Sequence, residues 1–312
     1  MPQSSVLGPL FFVLYIESLL NSIFLNCPNI HVFAFADDVK LLSNRTSELH
    51  EAIKIVEVWS ETWKLSIQPN KSEHVPFRFS KLQTADEHFF INDKLITTTD
   101  SVRDLGLTLS SNLKWTPYMS KIISKANILS YNIVRSFSTS NILIFSNWYK
   151  THIRPILEYN TVIWTPHLIA DINRVENVQR KFTRLVCQKL NLKFGCYQDR
   201  LNLMNIETLE IRRVKFDLTY LYKIFKNLVD IPFQDHFKGH IASNHYNLRA
   251  HNLKLEKPSY SGSSVRDTFF CERVISLWNH LPQNIVNSPN INLFKTELDK
   301  FNLYSIYVSK IR

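Results

Sequence analysis

A run of seven residues, Ile30-His31-Val32-Phe33-Ala34-Phe35-Ala36, is rich in strand formers, halts at Asp37-Asp38 and resumes an extended pattern at Val39-Lys40-Leu41-Leu42. Two such segments parted by a pair of acids read as a β-hairpin with an acidic tip. Adjacent carboxylates repel, so the tip must stay in water or have its charge offset, and a divalent cation does the latter well. Asp-Asp is also an ordinary exposed turn dipeptide, and both readings stand at this point.

Around the hairpin the periodicity is mixed. Thr46 or Ser47 is placed to cap a helix whose Leu49, Ile53, Val56, Trp59 and Trp63 recur at three and four, a stripe suited to covering a sheet. Further strands are expected at His74 to Phe79, at Phe89 to Ile91 and Lys94 to Thr97 about an Asn92-Asp93 turn, and at Ser101 to Leu109. After Trp115 the pattern becomes helical. Thr116-Pro117 opens a helix with Met119, Ile122, Ala126, Leu129 and Ile133 on one face. Two more stripes follow, Ile172, Val175, Phe182 and Leu185, then Ile211, Val214, Leu218, Leu221, Phe225 and Leu228. From Ile231 to Gly262 periodicity fades into a connector. The expected organisation is an α+β region over residues 1–112, a mostly α-helical region over 113–230, and a connector with a small C-terminal module over 231–312.

Composition narrows the classes. With 45% hydrophobic residues and only 5 Gly against 12 Tyr and 21 Phe, the 312-residue chain has a core to bury and is no linker. The net charge of +10 on 21% charged residues is a diffuse basic bias that favours polyanion partners. Cys27, Cys187, Cys196 and Cys271 show no CxxC spacing, which argues against a zinc site or a disulfide framework and suits a reducing compartment. Val6 to Ile16 is apolar, but no basic stretch precedes it and Glu17 interrupts it, so the expectation is a buried helix rather than a secretion signal or a membrane span.

Phe35-Ala36-Asp37-Asp38 resembles the F/Y-A-D-D box of reverse transcriptases, specifically those of non-LTR (LINE-like, jockey-type) retrotransposons. Upstream, Pro2-Gln3-Ser4-Ser5-Val6-Leu7-Gly8-Pro9-Leu10-Phe11-Phe12 is similar to that family's P-Q-G-S-x-L-G-P-L-L-F segment. Downstream, Leu65 to Ser72 resembles its L-x-x-N-x-x-K-[TS] stretch, and Leu105-Gly106-Leu107-Thr108-Leu109 with Leu113-Lys114-Trp115 resembles its L-G-x-x-L stretch. Arg154 to Tyr159, Val175 to Lys181 and Val274 to Pro282 are similar to segments that follow the polymerase in the same elements.

The resemblance implies a partial polymerase palm, an antiparallel sheet with packed helices, followed by a thumb-like region. It implies Asp37 and Asp38 as the catalytic, Mg²⁺-binding carboxylates and Phe35 beside the primer end. Gln3 and Ser5 would line the template and incoming deoxynucleotide, Lys71 would lie near its phosphates, and Leu105-Gly106 would belong to the hairpin that grips the primer. The implied partners are an RNA template, a DNA primer and deoxynucleotides, and the implied place of action is the nucleus. Two departures temper this. The family's first catalytic Asp and its fingers precede the Pro-Gln segment, so the expectation is an incomplete two-metal site, inactive alone and in need of an N-terminal segment. Ser4 replaces a family Gly, and its Cβ opposes a close backbone approach. Two alternatives stay open. One is a non-catalytic nucleic-acid-binding remnant using Phe182-Thr183-Arg184 and Arg212-Arg213-Val214-Lys215-Phe216; the other is a fragment that does not fold stably.

Overall fold

The computed structural model describes residues 6–77, 87–193, 195–239, 251, 253–258, 265–304 and 306–307. It is a mixed α and β structure with two compact units, Met1–Lys114 and Trp115–Arg312.

In the first unit, helices α1 (Gly8–Asn26) and α2 (Thr46–Trp63) pack on a hairpin of β1 (His31–Phe35) and β2 (Asp38–Leu42). Phe35 pairs with Asp38 and His31 with Leu42. Alternation therefore puts Val32, Val39 and Leu41 on one face and Phe33, Phe35, Asp38 and Lys40 on the other. The first face packs with Ile16, Leu19, Ile23, Ala52, Val56 and Trp59. The helices are joined by Trp59 Nε1 donating to Ser18 Oγ at 2.8 Å and Tyr15 OH donating to the Trp63 carbonyl at 2.7 Å.

The other strands form short ribbons: β3 (Glu73–His74) parallel to β6 (Thr97–Thr98), β4 (Phe90–Ile91) antiparallel to β5 (Lys94–Leu95), and β7 (Ser101–Asp104) antiparallel to β8 (Leu107–Ser110). Among the described residues the sheet is thus split into two-stranded pieces, one of them parallel.

Four local expectations change. The strand expected from Ser101 to Leu109 is a hairpin, because Leu105 (φ 43°) and Gly106 (φ 87°) both take left-handed backbone and reverse the chain. Of His74 to Phe79, only His74 lies in a strand, and Phe79 falls outside the described residues. Neither Thr46 nor Ser47 caps α2: Arg45 holds the cap position without a side-chain bond, and the Thr46 hydroxyl donates to Glu87 instead. Finally, α1 is not a buried helix. Ile16, Leu19 and Ile23 are buried, whereas Leu10, Phe11, Val13 and Leu14 are exposed because no described element covers that face. By length and composition alone, α1 is also the one described helix that could cross a membrane.

The second unit is helical: α3 (Thr116–Ser136), α4 (Ile142–Trp148), α5 (Arg154–Glu158), α6 (Thr161–Trp164), α7 (Ile169–Lys189), α8 (Tyr197–Met204), α9 (Leu209–Phe225), α10 (Phe233–His236), α11 (Phe270–Trp278), α12 (Gln283–Val286) and α13 (Ile291–Lys300). Helices α3 and α7 lie side by side and run parallel. Arg174 donates to Ser120 Oγ at 2.8 Å near their N-termini, and Lys189 Nζ donates to the Val134 carbonyl at 2.5 Å near their C-termini. Residues 274–307 share a core with Val214, Leu218 and Tyr222 of α9. Between α4 and α5 the chain makes one π-helical turn, Tyr149–Ile153. Tyr149 there begins a buried chain in which its hydroxyl donates to Gln179 at 2.6 Å, Gln179 donates to Tyr197 at 2.8 Å, and Tyr197 donates to Glu176 at 2.6 Å.

The end of α11 straps an extended segment to the core. Trp278 Nε1 donates to the Leu253 carbonyl at 2.9 Å, and Asn279 exchanges two hydrogen bonds with the backbone of Leu255, each 2.8 Å. His251 completes the strap, with Nε2 on the Trp278 carbonyl at 2.9 Å and Nδ1 accepting from the Leu253 N–H at 3.2 Å. Only a neutral ring satisfies both contacts.

Two outcomes follow from this geometry. Ala36, in the hairpin turn, takes φ 51°, which costs an L-residue roughly 1–2 kcal/mol, while glycine's extra unfolded-state freedom costs about 0.5–1 kcal/mol. Ala36→Gly should therefore stabilise by up to about 1 kcal/mol, raising the urea midpoint at constant slope; a lower midpoint would contradict the turn geometry. Burial pushes the His251 imidazole below its ordinary value, so the unfolded chain takes up that proton first. The stability His251 contributes should be full above about pH 6.5 and decline as pH falls through the depressed native value. Melting across that window should fall less steeply in His251→Gln than in wild type, and parallel curves would refute the assignment.

Candidate functional site

The acidic tip is built by local rules. Five-residue strands with one apolar face dock on α1 and α2, and the two-residue turn Ala36-Asp37 joins them with no slack. Asp37 sits in the turn and Asp38 opens β2, both exposed to water. Exposure screens their repulsion, so the hairpin needs no cation in order to fold. Phe35, opposite Asp38 and 61% exposed, and Phe33, 56% exposed, line the same outer face.

Could this tip hold Mg²⁺? Hard carboxylate oxygens suit the ion, which keeps much of its water and is commonly held by one or two carboxylates together with substrate phosphates. Asp37 and Asp38 fit that limited role. Among the described residues no group of three or more His, Cys, Asp or Glu is gathered to hold a metal, so the pair supplies a share of a ligand set.

The other expected site residues are distributed unevenly. Leu105 and Gly106 form the β7–β8 turn, and the structure brings that turn toward the acidic hairpin through an ion pair between Lys40 of β2 and Asp104 of β7. Lys71 ends a single 3₁₀ turn, Pro69–Lys71, is exposed, and makes no ion pair among the described residues. Gln3 and Ser5 lie outside the described residues. Sequence reasoning missed Lys40 and Asp104. Their signals were present: a lysine two residues after Asp38, hence on its face of the strand, and an acid directly before Leu-Gly.

Residues 1–109 match the family model described as reverse transcriptase (RNA-dependent DNA polymerase). Over 204 residues the chain is 24% identical to a probable RNA-directed DNA polymerase from transposon BS of Drosophila melanogaster, covering 59% of this chain and 22% of that protein. It is 24% identical over 201 residues to a probable RNA-directed DNA polymerase from transposon X-element of the same organism, covering 59% and 21%. It is also 22% identical over 197 residues to the RNA-directed DNA polymerase from the Drosophila mobile element jockey, covering 59% and 21%. The chain thus spans about a fifth of the length of these relatives. No solved structure matches it significantly. Residues 1–109, which carry both hairpins, are thus similar to the reverse transcriptase (RNA-dependent DNA polymerase) family, and over 59% of its length the chain resembles parts of RNA-directed DNA polymerases from transposons.

Proposed function

We propose that this chain serves RNA-directed DNA synthesis, with the β1–β2 tip set at the end of a DNA primer paired to an RNA template. The observation that carries this reading is the exposed Asp37-Asp38 pair fixed on a docked hairpin within the family segment. Asp37 and Asp38 would hold Mg²⁺, which when bound neutralises charge on the phosphorus and favours loss of the primer hydroxyl proton. Phe35 offers a flat apolar surface for the terminal base, Lys71 a point charge for nucleotide phosphates, and the Leu105-Gly106 turn a grip on the primer. Gln3 and Ser5 are assigned to the template and the incoming deoxynucleotide. A two-ion site needs more oxygens than the described residues gather here, so the hairpin is given a share of the site. On the same reading residues 1–112 are a partial palm, 113–230 a thumb-like region and 231–312 a connector with a C-terminal module, and the chain acts in the nucleus.

A second reading, nucleic-acid binding without catalysis, is favoured by one feature of the helical unit. The parallel pair α3 and α7 exposes Lys121, Lys125, Arg135, Lys181 and Arg184 over about 30 Å of helix. No acid lies on α3, while on α7 Asp171 is paired with Arg174 and Glu176 is buried. The Arg212 to Phe216 stretch does not contribute as expected: Arg212 pairs with Glu158, Arg213 is buried, and Lys215 pairs with Glu207 and Asp299.

Primer extension on an RNA template with Mg²⁺ tests the first reading. Asp37→Asn should lower any synthesis at least about a hundredfold, and synthesis indifferent to it would remove Asp37 from the site. Independently of turnover, Mn²⁺ should broaden the NMR signals of residues 35–40 before others, and uniform broadening would count against the metal assignment. For the second reading, filter binding of duplex should weaken steeply with salt, with a smaller slope in the Lys181→Glu, Arg184→Glu double variant; an affinity flat in salt excludes it.

A further inference from the structure

We propose that Lys40 and Asp104 are a positioning pair that sets the gap between the Asp37-Asp38 tip and the Leu105-Gly106 turn, and that this gap receives the end of a nucleic-acid strand. What fills the gap rests on the polymerase reading; the pair itself rests on geometry. Lys40 lies two residues along β2 from Asp38, so both stand on the outer face about 7 Å apart. Asp104 is the last residue of β7 before the Leu105-Gly106 turn. Their contact therefore joins the strand that begins at the acidic tip to the strand that ends at the second turn.

Each ribbon has only two strands among the described residues, and an isolated ribbon of that kind is poorly fixed without outside contacts. The acidic ribbon is docked on α1 and α2, so a link from it can orient the second turn. Lys40 and Asp104 are 34% and 26% exposed, and so open a pair adds little to stability. Its value is geometric. The pair also occupies the ammonium: a lysine at this spacing with no other partner can swing along the strand toward Asp38 and compete with a cation there. Engaged by Asp104, it leaves both carboxylates of the tip open.

Two measurements on the purified chain test this. Zero-length carbodiimide coupling followed by peptide mass mapping should join Lys40 to Asp104. Affinity for an RNA–DNA primer–template should then be measured for wild type, Lys40→Glu, Asp104→Lys and the double swap, alongside melting curves. Each single reversal should weaken binding roughly five-fold with little change in melting, and the swap should recover most of the loss. Absence of the coupled peptide, or a swap no better than the single variants, overturns the pair. Affinity that falls only in step with melting reduces it to a structural contact and overturns the positioning role. If wild type binds no primer–template, the polymerase reading falls together with the use assigned to the gap, while the coupling result still reports on the ion pair.

Discussion

A two-stranded ribbon does not hold itself in water, so the Asp-tipped hairpin exists because one of its faces is buried against α1 and α2. Val32, Val39 and Leu41 supply that face, and the period of two then leaves Phe33, Phe35, Asp38 and Lys40 no choice but the other side. A slip of one residue would bury Asp38 and Lys40 and expose the valines. The same burial that stabilises the hairpin thus decides that its acids and aromatics face outward together. Phe33 and Phe35 remain more than half exposed, so the outer face forgoes the hydrophobic burial that the inner face gains.

The helical unit solves a different problem, that of carrying polar groups inside. Glu176 and Gln179 lie on the buried face of α7, where burial pushes the Glu176 carboxyl above the usual carboxylate range. They are tolerated because Tyr197, Tyr149 and the Leu209 N–H give them partners, and the π-helical turn aims Tyr149 into that chain. Asp217 is held likewise by a two-pronged contact from Arg273, 2.9 Å to each oxygen, and the same guanidinium reaches the Val162 and Thr268 carbonyls. Removing one member would leave others buried and unpaired at roughly 1–3 kcal/mol each. These residues are committed to holding α6, α7, α9 and α11 together, and none is free for chemistry.

What could be read from sequence was whatever a short period dictates. The hairpin at residues 31–42, the helix over 46–63 and the stripes on α3, α7 and α9 all follow from spacings of two or of three and four. The Asn92-Asp93 turn was legible because both residues tolerate left-handed backbone, at φ 49° and 58°. The Leu105-Gly106 break was not legible from strand propensity, since a leucine with positive φ looks like strand interior, and only the family resemblance pointed to a hairpin there. Nor was the cap of α2, where a tertiary partner, Glu87, engages the Thr46 hydroxyl that local rules assign to the helix end. The exposed side of α1 misled for a related reason. Apolar composition states that a face wants cover, and says nothing about what provides it.

Charge shows the same limit from the other direction. Read linearly, Arg212-Arg213-Val214-Lys215-Phe216 is the more basic and aromatic stretch, yet a helix turns its residues by about 100° and sends neighbours to different surroundings. Arg212 and Lys215 meet acids, and Arg213 enters the core beside Glu176, with no hydrogen-bond partner for its amino groups among the described residues. On α3 and α7, by contrast, Lys121, Lys125 and Arg135 and then Lys181 and Arg184 recur at helical spacing, exposed, on helices whose acids are absent, paired or buried. A net charge of +10 therefore matters to binding only through the fraction that packing leaves unneutralised, and part of that fraction lies on the adjacent, parallel helices α3 and α7.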